Sequence, residues 1–438
     1  MMAAGLWCMM TASAQTADST AWRNVFTDPQ LRNLIGTALE HNADLRTANL
    51  NVEQADAGLR MARLAMLPSL TVGVEGSLSK TKSTAARPEG TLAKARTTKT
   101  YNVPLTLQWE VDLSGRLRGE KRAALASYWS TAETERAVRL QLIASVATHY
   151  YTLVMMDEQL RVTRQSMNNA LQTVEVMEAL KEVGMQNEAA VSQARAAYLN
   201  IAASEKGLLQ QLKTTENALM VLIGEKHDSI CRTTWGNTDV CIADTTTYAI
   251  ETLANRPDVK AAEYALKAQM AQVNVARAAF YPQLTISASA GWTNSVGEIV
   301  NPGQILLNAI GSLVQPLFNK DQNRANLRIA KARQEQALVA FNQSLLAAGG
   351  ELSDALSACR LSSERLVLRQ QEVAAAERAY EVSKVVMQNS SATYLEVLTA
   401  QSTLIQSRLT IITDWLDHIQ GKINLFKALG GNINGKEG

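Results

Sequence analysis

The sequence predicts a mainly α-helical chain with a small β part, in which a helix, two strands, a very long helix and a returning helix occur twice. Three observations carry that expectation. Leu39–Thr71 contains LEHNADLRTA and then ARLAMLPSLT, and the second half answers with LANRPDVKAA and ARAAFYPQLT. Four segments of about ten residues alternate apolar and polar side chains, three of them cleanly, which is the period of a strand with one dry and one wet face. Two long runs lack proline and repeat apolar residues in steps of three and four, the rhythm of coiled-coil helices.

The duplication is long and nearly colinear. Asp44 pairs with Asp258, Arg63 with Arg277 and Pro68 with Pro282 at one offset (282 − 68 = 214). Arg118 pairs with Arg324 and Gly224 with Gly430 at another (430 − 224 = 206), so the spacing tightens by eight residues between Thr71 and Trp109. Solenoid repeats run about 20 to 50 residues; a unit of roughly two hundred is a duplicated structural half. The expected organisation has a signal-peptide remnant at 1–14 and a first repeat at 15–230, with strands near 69–79 and 103–112 and a helical hairpin at 114–223. A linker at 231–245 follows, then a second repeat at 246–431, with strands near 283–293 and 305–317 and a hairpin at 322–429, and a tail at 432–438.

Taken in order, Met1–Gln15 reads as the end of a secretory leader: a short apolar run and then Ala12-Ser13-Ala14, an A-x-A cleavage signature before Gln15. A cationic region is missing ahead of it, so the leader reads as starting upstream; Cys8 offers a lipid-attachment alternative, and either route exports the chain. Asp44 and Asp258 recur where helices start after turns, positions suited to capping. The first strand sets Leu70, Val72, Val74, Gly76 and Leu78 against Thr71, Gly73, Glu75 and Ser77. Its copy sets Leu284, Ile286, Ala288, Ala290 and Trp292 against Thr285, Ser287, Ser289, Gly291 and Thr293. The second strand opposes Val103, Leu105, Leu107, Trp109 and Val111 to Thr106, Gln108, Glu110 and Asp112. Its partner near Ile305–Leu317 is less regular, and Pro316 restricts where it pairs. Trp109 and Trp292, with Phe280 and Tyr281 just before a strand, fit aromatic anchors at a membrane interface; core packing is the rival reading. Between the strands, Lys80–Thr100 holds six basic residues and one acid, whereas Asn294–Gln304 is short and nearly neutral. A solvated loop is the plain reading of that charge, and contact with polyanionic surface sugars the functional one.

From Ser114 to about Val183 there is no proline, and the only glycines are Gly115 and Gly119. Such a helix would be roughly 105 Å long, against about 30 Å for a bilayer core. Leu338, Phe341, Leu345, Ala348, Leu352, Ala355 and Cys359 step by three and four, as do Leu140, Ile143, Ala147, Tyr150 and Val154. Leu142, Val146 and Leu153 add a second apolar seam, which lets one helix pack between two neighbours. Both runs end in polar breaks, EVGMQNEAAV at Glu182–Val191 and VMQNSSATYLEV at Val386–Val397, where Gly184, Asn389, Ser390 and Ser391 suit tight helical hairpins. In the linker CRTTWGNTDVC, Cys231 and Cys241 can close a short disulfide in an oxidising compartment; a metal site there lacks further ligands nearby. Cys359 belongs to the apolar stripe.

A net charge of +2 argues against nucleic acid as a partner, and no window of eighteen uninterrupted apolar residues provides a spanning helix. His41, His149, His227 and His418 are scattered, and HExxH, Walker A, GxSxG and CxxC spacings do not occur, so an enzyme is not expected. Four amphipathic strands cannot close a barrel alone, and in lipid every backbone polar group needs a partner within the protein. Three copies supply twelve strands, an even number in the range of outer-membrane barrels. The expected architecture is thus a trimeric 12-stranded β-barrel, with a polar lumen, on a long α-helical coiled-coil tunnel.

These residues carry a family resemblance. From Trp22 to Gly431 the chain resembles the TolC-like outer-membrane efflux factors, more closely their OprM/NodT-like branch. The resemblance includes Phe26-Thr27-Asp28-Pro29-Gln30-Leu31, Leu34-Ile35, Asn42-Ala43-Asp44-Leu45 and Arg256-Pro257-Asp258-Val259. Asp112-Leu113-Ser114-Gly115-Arg116-Leu117-Arg118 and Ala392-Thr393-Tyr394-Leu395-Glu396-Val397-Leu398-Thr399-Ala400-Gln401 also follow the family pattern. It is their order, spacing and duplication together that are specific. The resemblance implies a homotrimeric conduit in the outer membrane with its helices in the periplasm, carrying small molecules such as drugs outward. It implies a periplasmic adaptor (membrane fusion) protein, an inner-membrane transporter of the resistance–nodulation–division (RND) type and outer-membrane lipid as partners, with no cofactor. Its gate falls just past the second helical tip, on Glu396 and Thr399, with Leu395 as an apolar constriction. Thr399 stands where Asp is common in the family, so the ring should hold fewer charges. Gly184, Met185, Gln186, Asn187, Ser390 and Ser391 are the expected adaptor contacts. The rival reading is a soluble periplasmic coiled-coil adaptor or scaffold without a barrel, which leaves the matched strands unexplained.

Overall fold

Residues 21–81, 96–225, 230–236, 240, 253–294, 304–316, 318–388 and 394–431 are described by the computed structural model of the chain. The leader remnant with Cys8, the tail at 432–438, Cys241, Ser390 and Ser391 lie outside the described residues.

A short α1 (Ala21–Val25) leads into α2 (Pro29–His41) and α3 (Ala43–Leu64). Asp28 accepts the Gln30 N–H and Pro29 fills the first helical position, so α2 begins where its free donors are answered. Asn42 ends α2 and caps α3: its Oδ1 accepts the Leu45 N–H at 2.9 Å. The cap expected at Asp44 is therefore Asn42, and Asp44 sits in the first turn, where the helix dipole favours a carboxylate. The long α4 (Arg116–Glu182) and its return α5 (Glu188–Ile223) form the first hairpin; α7 (Gln322–Gln388) and α8 (Tyr394–Ala428) form the second, preceded by α6 (Pro257–Ala278). Both α3 and α6 have 22 residues and start 214 apart (257 − 43), while α4 and α7 have 67 each and start 206 apart (322 − 116). Both sequence offsets thus recur as element boundaries.

Compactness does not follow the repeats. One unit comprises Met1–Leu50, Glu133–Lys260 and Asn342–Gly438, the other Asn51–Ala132 and Ala261–Phe341, so each repeat gives segments to both. We call them the helical unit and the strand unit.

The strand unit holds one antiparallel sheet of β1 (Ser69–Val72), β2 (Glu75–Thr81), β3 (Arg96–Val111), β4 (Gln283–Asn294) and β5 (Gln304–Val314). The first expected strand is split at Gly73 and Val74, yet both pieces pair with β3 in one register: Val72 faces Leu105 and Glu75 faces Asn102. The sheet is therefore four strands wide, in the order β1/β2, β3, β4, β5. β3 starts at Arg96, earlier than the expected 103, because its first residues are held by pairing with β2.

The helical unit is organised around a core in which Phe26, Leu31 and Ile35 meet Tyr150, Tyr151 and Leu153 of α4, Leu219 and Ile223 of α5, and Ile419, Ile423 and Phe426 of α8. Phe26 packs edge-on to Phe426, with ring centroids 5.7 Å apart. Linker residues bind into it: Trp235 stacks on Trp415 at 5.0 Å, and Arg232 ion-pairs with Asp157 on α4 and Glu216 on α5. Cys231 is exposed, and its expected disulfide partner lies outside the described residues. Of the apolar stripe on α7, Ala348, Leu352, Ala355 and Cys359 are buried, whereas Leu338 and Leu345 remain exposed.

Candidate functional site

Two surfaces concentrate the residues that the sequence singles out. On the sheet, cross-strand register places apolar with apolar. Val72 stands opposite Leu105, Leu105 opposite Ala290 and Ala290 opposite Leu307; likewise Leu70 meets Leu107, Leu107 meets Ala288 and Ala288 meets Ala309. The other face carries the rows Thr71, Thr106, Ser289, Asn308 and Glu110, Thr285, Ser312. Ile310 falls into this polar face opposite Ser287, which is why the fourth strand reads as irregular in sequence. The apolar face stays open to its surroundings: Val72 is 73%, Val74 84% and Leu307 79% exposed. A contiguous exposed apolar sheet face needs a non-aqueous neighbour.

Aromatic residues bracket that face. Trp109, opposite Ile286 near the helix-connected end, donates its Nε1–H to the Met66 carbonyl at 3.0 Å. Phe280 and Tyr281 precede β4 at the same end of the strand and are 37% and 61% exposed. Trp292, opposite Val103, and Tyr101, opposite Asn294, stand toward the far end. Sequence reasoning passed over Tyr101, because the alternation of the second strand weakens in TTKTYN; its place opposite the end of β4 reveals it. Eight residues separate Trp109 from Tyr101 on one face of β3, about 27 Å at 3.4 Å per residue, which matches the ~25 Å apolar band of a membrane barrel. Among the described residues no helix is long and apolar enough to cross a membrane. Among the described residues, no strand lies beside the outer edges of β1/β2 and of β5.

The second surface is formed by the hairpin ends of the helical unit. At the first, Gly184 takes φ +75°, its N–H bonds Lys181 O at 3.0 Å, and the Met185 N–H reaches Leu180 O at 2.8 Å. This is the Schellman closure, which uses the last carbonyls of α4. Met185 is 71% exposed and Gln186 half-buried, while Asn187 caps α5 by accepting the Ala190 N–H at 3.0 Å. Lys181 and Glu188 ion-pair across the turn, and that hydrogen bond holds the Lys181 ammonium above its ordinary value.

At the start of α8, Val397 and Leu398 turn inward; Leu398 packs on the cluster of Val174, Met177, Ala190, Val191 and Ala194 from the first hairpin. Leu395, Glu396 and Thr399 face outward together, and the Thr399 hydroxyl donates to Leu395 O at 2.8 Å. With Ala376, Ala379 and Ala400 they line a shallow cavity of about 400 Å³. The matching positions of the first hairpin, 206 residues earlier, are Ala189, Ala190 and Gln193, so only the second carries a large apolar group and an acid there. No group of three or more metal-binding side chains occurs among the described residues.

A sheet with one dry and one wet face, bracketed by aromatic residues, in a chain that also carries two long helical hairpins, defines a barrel-forming outer-membrane conduit. Comparison with known proteins gives the family. Residues 34–225 and 250–431 match the family described as outer membrane efflux protein, and the chain belongs to it. The cation efflux system protein CusC of Escherichia coli (strain K12) is 29% identical over 422 residues, covering 96% of this chain and 90% of that one. The toluene efflux pump outer membrane protein TtgF of Pseudomonas putida is 30% identical over 420 residues, covering 95% and 87%. A crystal structure of CusC matches with a TM-score of 0.86 at 28% identity over 94% of each chain. The protein is the outer-membrane component of an efflux system, with its helical part in the periplasm. The rival soluble adaptor falls away with that assignment.

Proposed function

We propose that three copies of this chain close a twelve-stranded barrel around an aqueous bore and that the second hairpin ends constrict it. The observation that carries the reading is the sheet: two edges with no strand beside them among the described residues, a wet face and a dry face in one four-strand width. Lipid tolerates neither open edge, and three copies joined edge to edge satisfy both. Leu395 supplies an apolar ring at the constriction, Glu396 a ring of three carboxylates, and Thr399 a ring of hydroxyls. Gly184, Met185, Gln186 and Asn187 present the first turn to a periplasmic adaptor, with Ser390 and Ser391 its counterpart on the second hairpin. An inner-membrane transporter of the RND type completes the path.

The cargo is set elsewhere. One relative is named for cations and another for toluene at nearly equal identity, so the conduit itself does not select strongly. Small molecules, drugs among them, fit this reading. No chemistry on the cargo is needed, because the conduit only has to be wide and wet when open.

The test is single-channel recording of the purified protein in planar bilayers. Glu396→Ala should increase conductance and reduce cation preference, and antibiotic entry into cells carrying the variant should rise. Conductance and entry equal to the wild type would remove Glu396 from the gate.

A further inference from the structure

From α3 onward the two repeats run in parallel, α3 with α6, β1/β2 with β4, β3 with β5 and the two long hairpins with each other, and the extra residues of the first repeat, between β2 and β3, bring charge. Lys80–Thr100 holds six basic residues and one acid, whereas Asn294–Gln304 holds one acid and no base. β3 also continues past the rung Tyr101–Asn294, the last described rung with β4, and among the described residues Arg96–Thr100 pair with β2 only. On this extension Lys99 stands opposite Leu78 and Lys80 opposite Thr97. Both register positions lie on the face that carries Tyr101, Leu105, Leu107 and Trp109, and both lysines are exposed. Glu75 faces Asn102 on the opposite side of the sheet.

Distances along the strand give this order a meaning. Lys99 is two residues beyond Tyr101, about 7 Å. Lys80 and Lys99 are diagonal cross-strand neighbours, about 7–8 Å apart between Cα atoms. Moving away from the helix-connected end, one face therefore presents an apolar band, an aromatic row and then two ammonium groups. The same order, hydrocarbon, interface and anionic headgroup, is met on leaving a bilayer. Lysine stems lie along apolar surface and carry the charge outward to the headgroup level. The helices are periplasmic, so the far end of the sheet is in the outer leaflet.

We propose that Lys80 and Lys99 form a docking site for the phosphate of a lipid headgroup in the outer leaflet, a site the second repeat does not have. The proposal rests on reading the sheet as a membrane wall. Charge complementarity selects the occupant: the lysines point into the zone where phosphorylated lipid presents its anions.

The experiment compares the full-length wild type with Lys80→Gln/Lys99→Gln in detergent. Each is titrated with bisphosphorylated lipid A, dephosphorylated lipid A and inorganic phosphate, and bound lipid is counted by native mass spectrometry. The double variant should bind the bisphosphorylated lipid about 30-fold more weakly, at about a fivefold step per lysine. Lys99→Glu should weaken it more than Lys99→Gln alone, and Lys331→Gln, an exposed lysine on α7, should change nothing. Heat-modifiable migration reports that each variant is folded. Equal binding by wild type and double variant, or equal affinity for the dephosphorylated lipid, overturns the site. Displacement of the lipid by millimolar phosphate makes it a soluble-anion site and also overturns it. If the wild type co-sediments with outer membranes yet shows no phosphate preference, only this site falls. If it does not co-sediment, the membrane-wall reading falls with it.

Discussion

Asn42 and Arg256 occupy one position of the repeat (256 − 42 = 214), and they make one bond in two chemistries. Asn42 Nδ2 donates to Leu222 O at 2.9 Å, and Arg256 Nη1 donates to Ala428 O at 3.3 Å, acceptors that are themselves 206 residues apart. Each joins the start of the short helix to the last turn of the returning one. The glycine that follows each returning helix, Gly224 or Gly430, is left-handed, at φ +78° and +69°; at Gly224 a Cβ would meet the His41 carbonyl oxygen at 2.5 Å. Arg256 additionally ion-pairs with Asp258 and Glu351, at 2.7 Å each, while only 3% of its side chain is exposed. Burial alone would raise the Asp258 carboxyl, but Arg256 holds it below its usual range. Arg256→Ala should cost about 2 kcal/mol in denaturant unfolding, less than a fully buried pair because both acids are half in water. Arg256→Gln, which retains an amide donor like that of Asn42, should cost less. Tyr150 gives a pH signature: burial, then its hydrogen bond to Asp28, raises the phenol to about 12. The folded state then holds its proton more tightly than the unfolded state, so stability is intact below about pH 10 and declines as pH rises toward about 12. Tyr150→Phe should flatten that decline, as measured by unfolding midpoints across the alkaline range.

At the scale of elements, the sheet shows how little side-chain chemistry fixes a strand once both faces are specified. Residues 287 and 288 are neighbours on β4, yet Ser287 is on the polar face and Ala288 on the apolar one. Ala288→Arg should cost about 2–4 kcal/mol in folding from denaturant into lipid vesicles, and Ser287→Arg much less. Equal penalties would contradict the assignment of faces. The first helical turn behaves differently, because backbone geometry governs it. A Cβ at Gly184 meets nothing within 4 Å, so Gly184→Ala suffers only from its positive φ of +75°. That should amount to about 1–2 kcal/mol, seen as faster hydrogen exchange at the ends of α4 and α5 with the rest unchanged.

For the whole molecule, the open edges matter most. Among the described residues, the outer edges of β1/β2 and β5 leave rows of backbone donors and acceptors without a strand beside them, which the proposed trimer would pair. On the proposed trimer, stability of the sheet should depend on protein concentration. The midpoint of denaturation followed by β-sheet circular dichroism should rise with concentration, whereas a sheet closed within one chain would be insensitive to it. The exposed apolar positions Leu338 and Leu345 on α7 suit contacts with neighbouring helices in the same way.

Much of this was legible in residue order. Alternation gave β4 and the base of β3, and steps of three and four gave the buried stripe on α7, because one helix or strand imposes its own period on its side chains. Gly184 and Asn187 could be read at a turn because turn geometry is local. Tyr101 could not, since its significance lies in standing opposite the end of β4, and the extension of β3 to Arg96 depends on pairing with β2. Glu396 was found by resemblance; what sets it apart from Ala190 in the other repeat is visible in sequence, but its sharing of a cavity with Ala376 is not.

The amino-acid order by itself determined the duplication, the periods of strands and long helices, and the family, because these are properties of neighbours along the chain. Only the tertiary structure decided the strand register, the two compact units that cut across the repeats, and the cap at Asn42 with its counterpart bond from Arg256. Those depend on groups far apart in sequence, 180 residues for Asn42 and Leu222, whose approach no local pattern encodes.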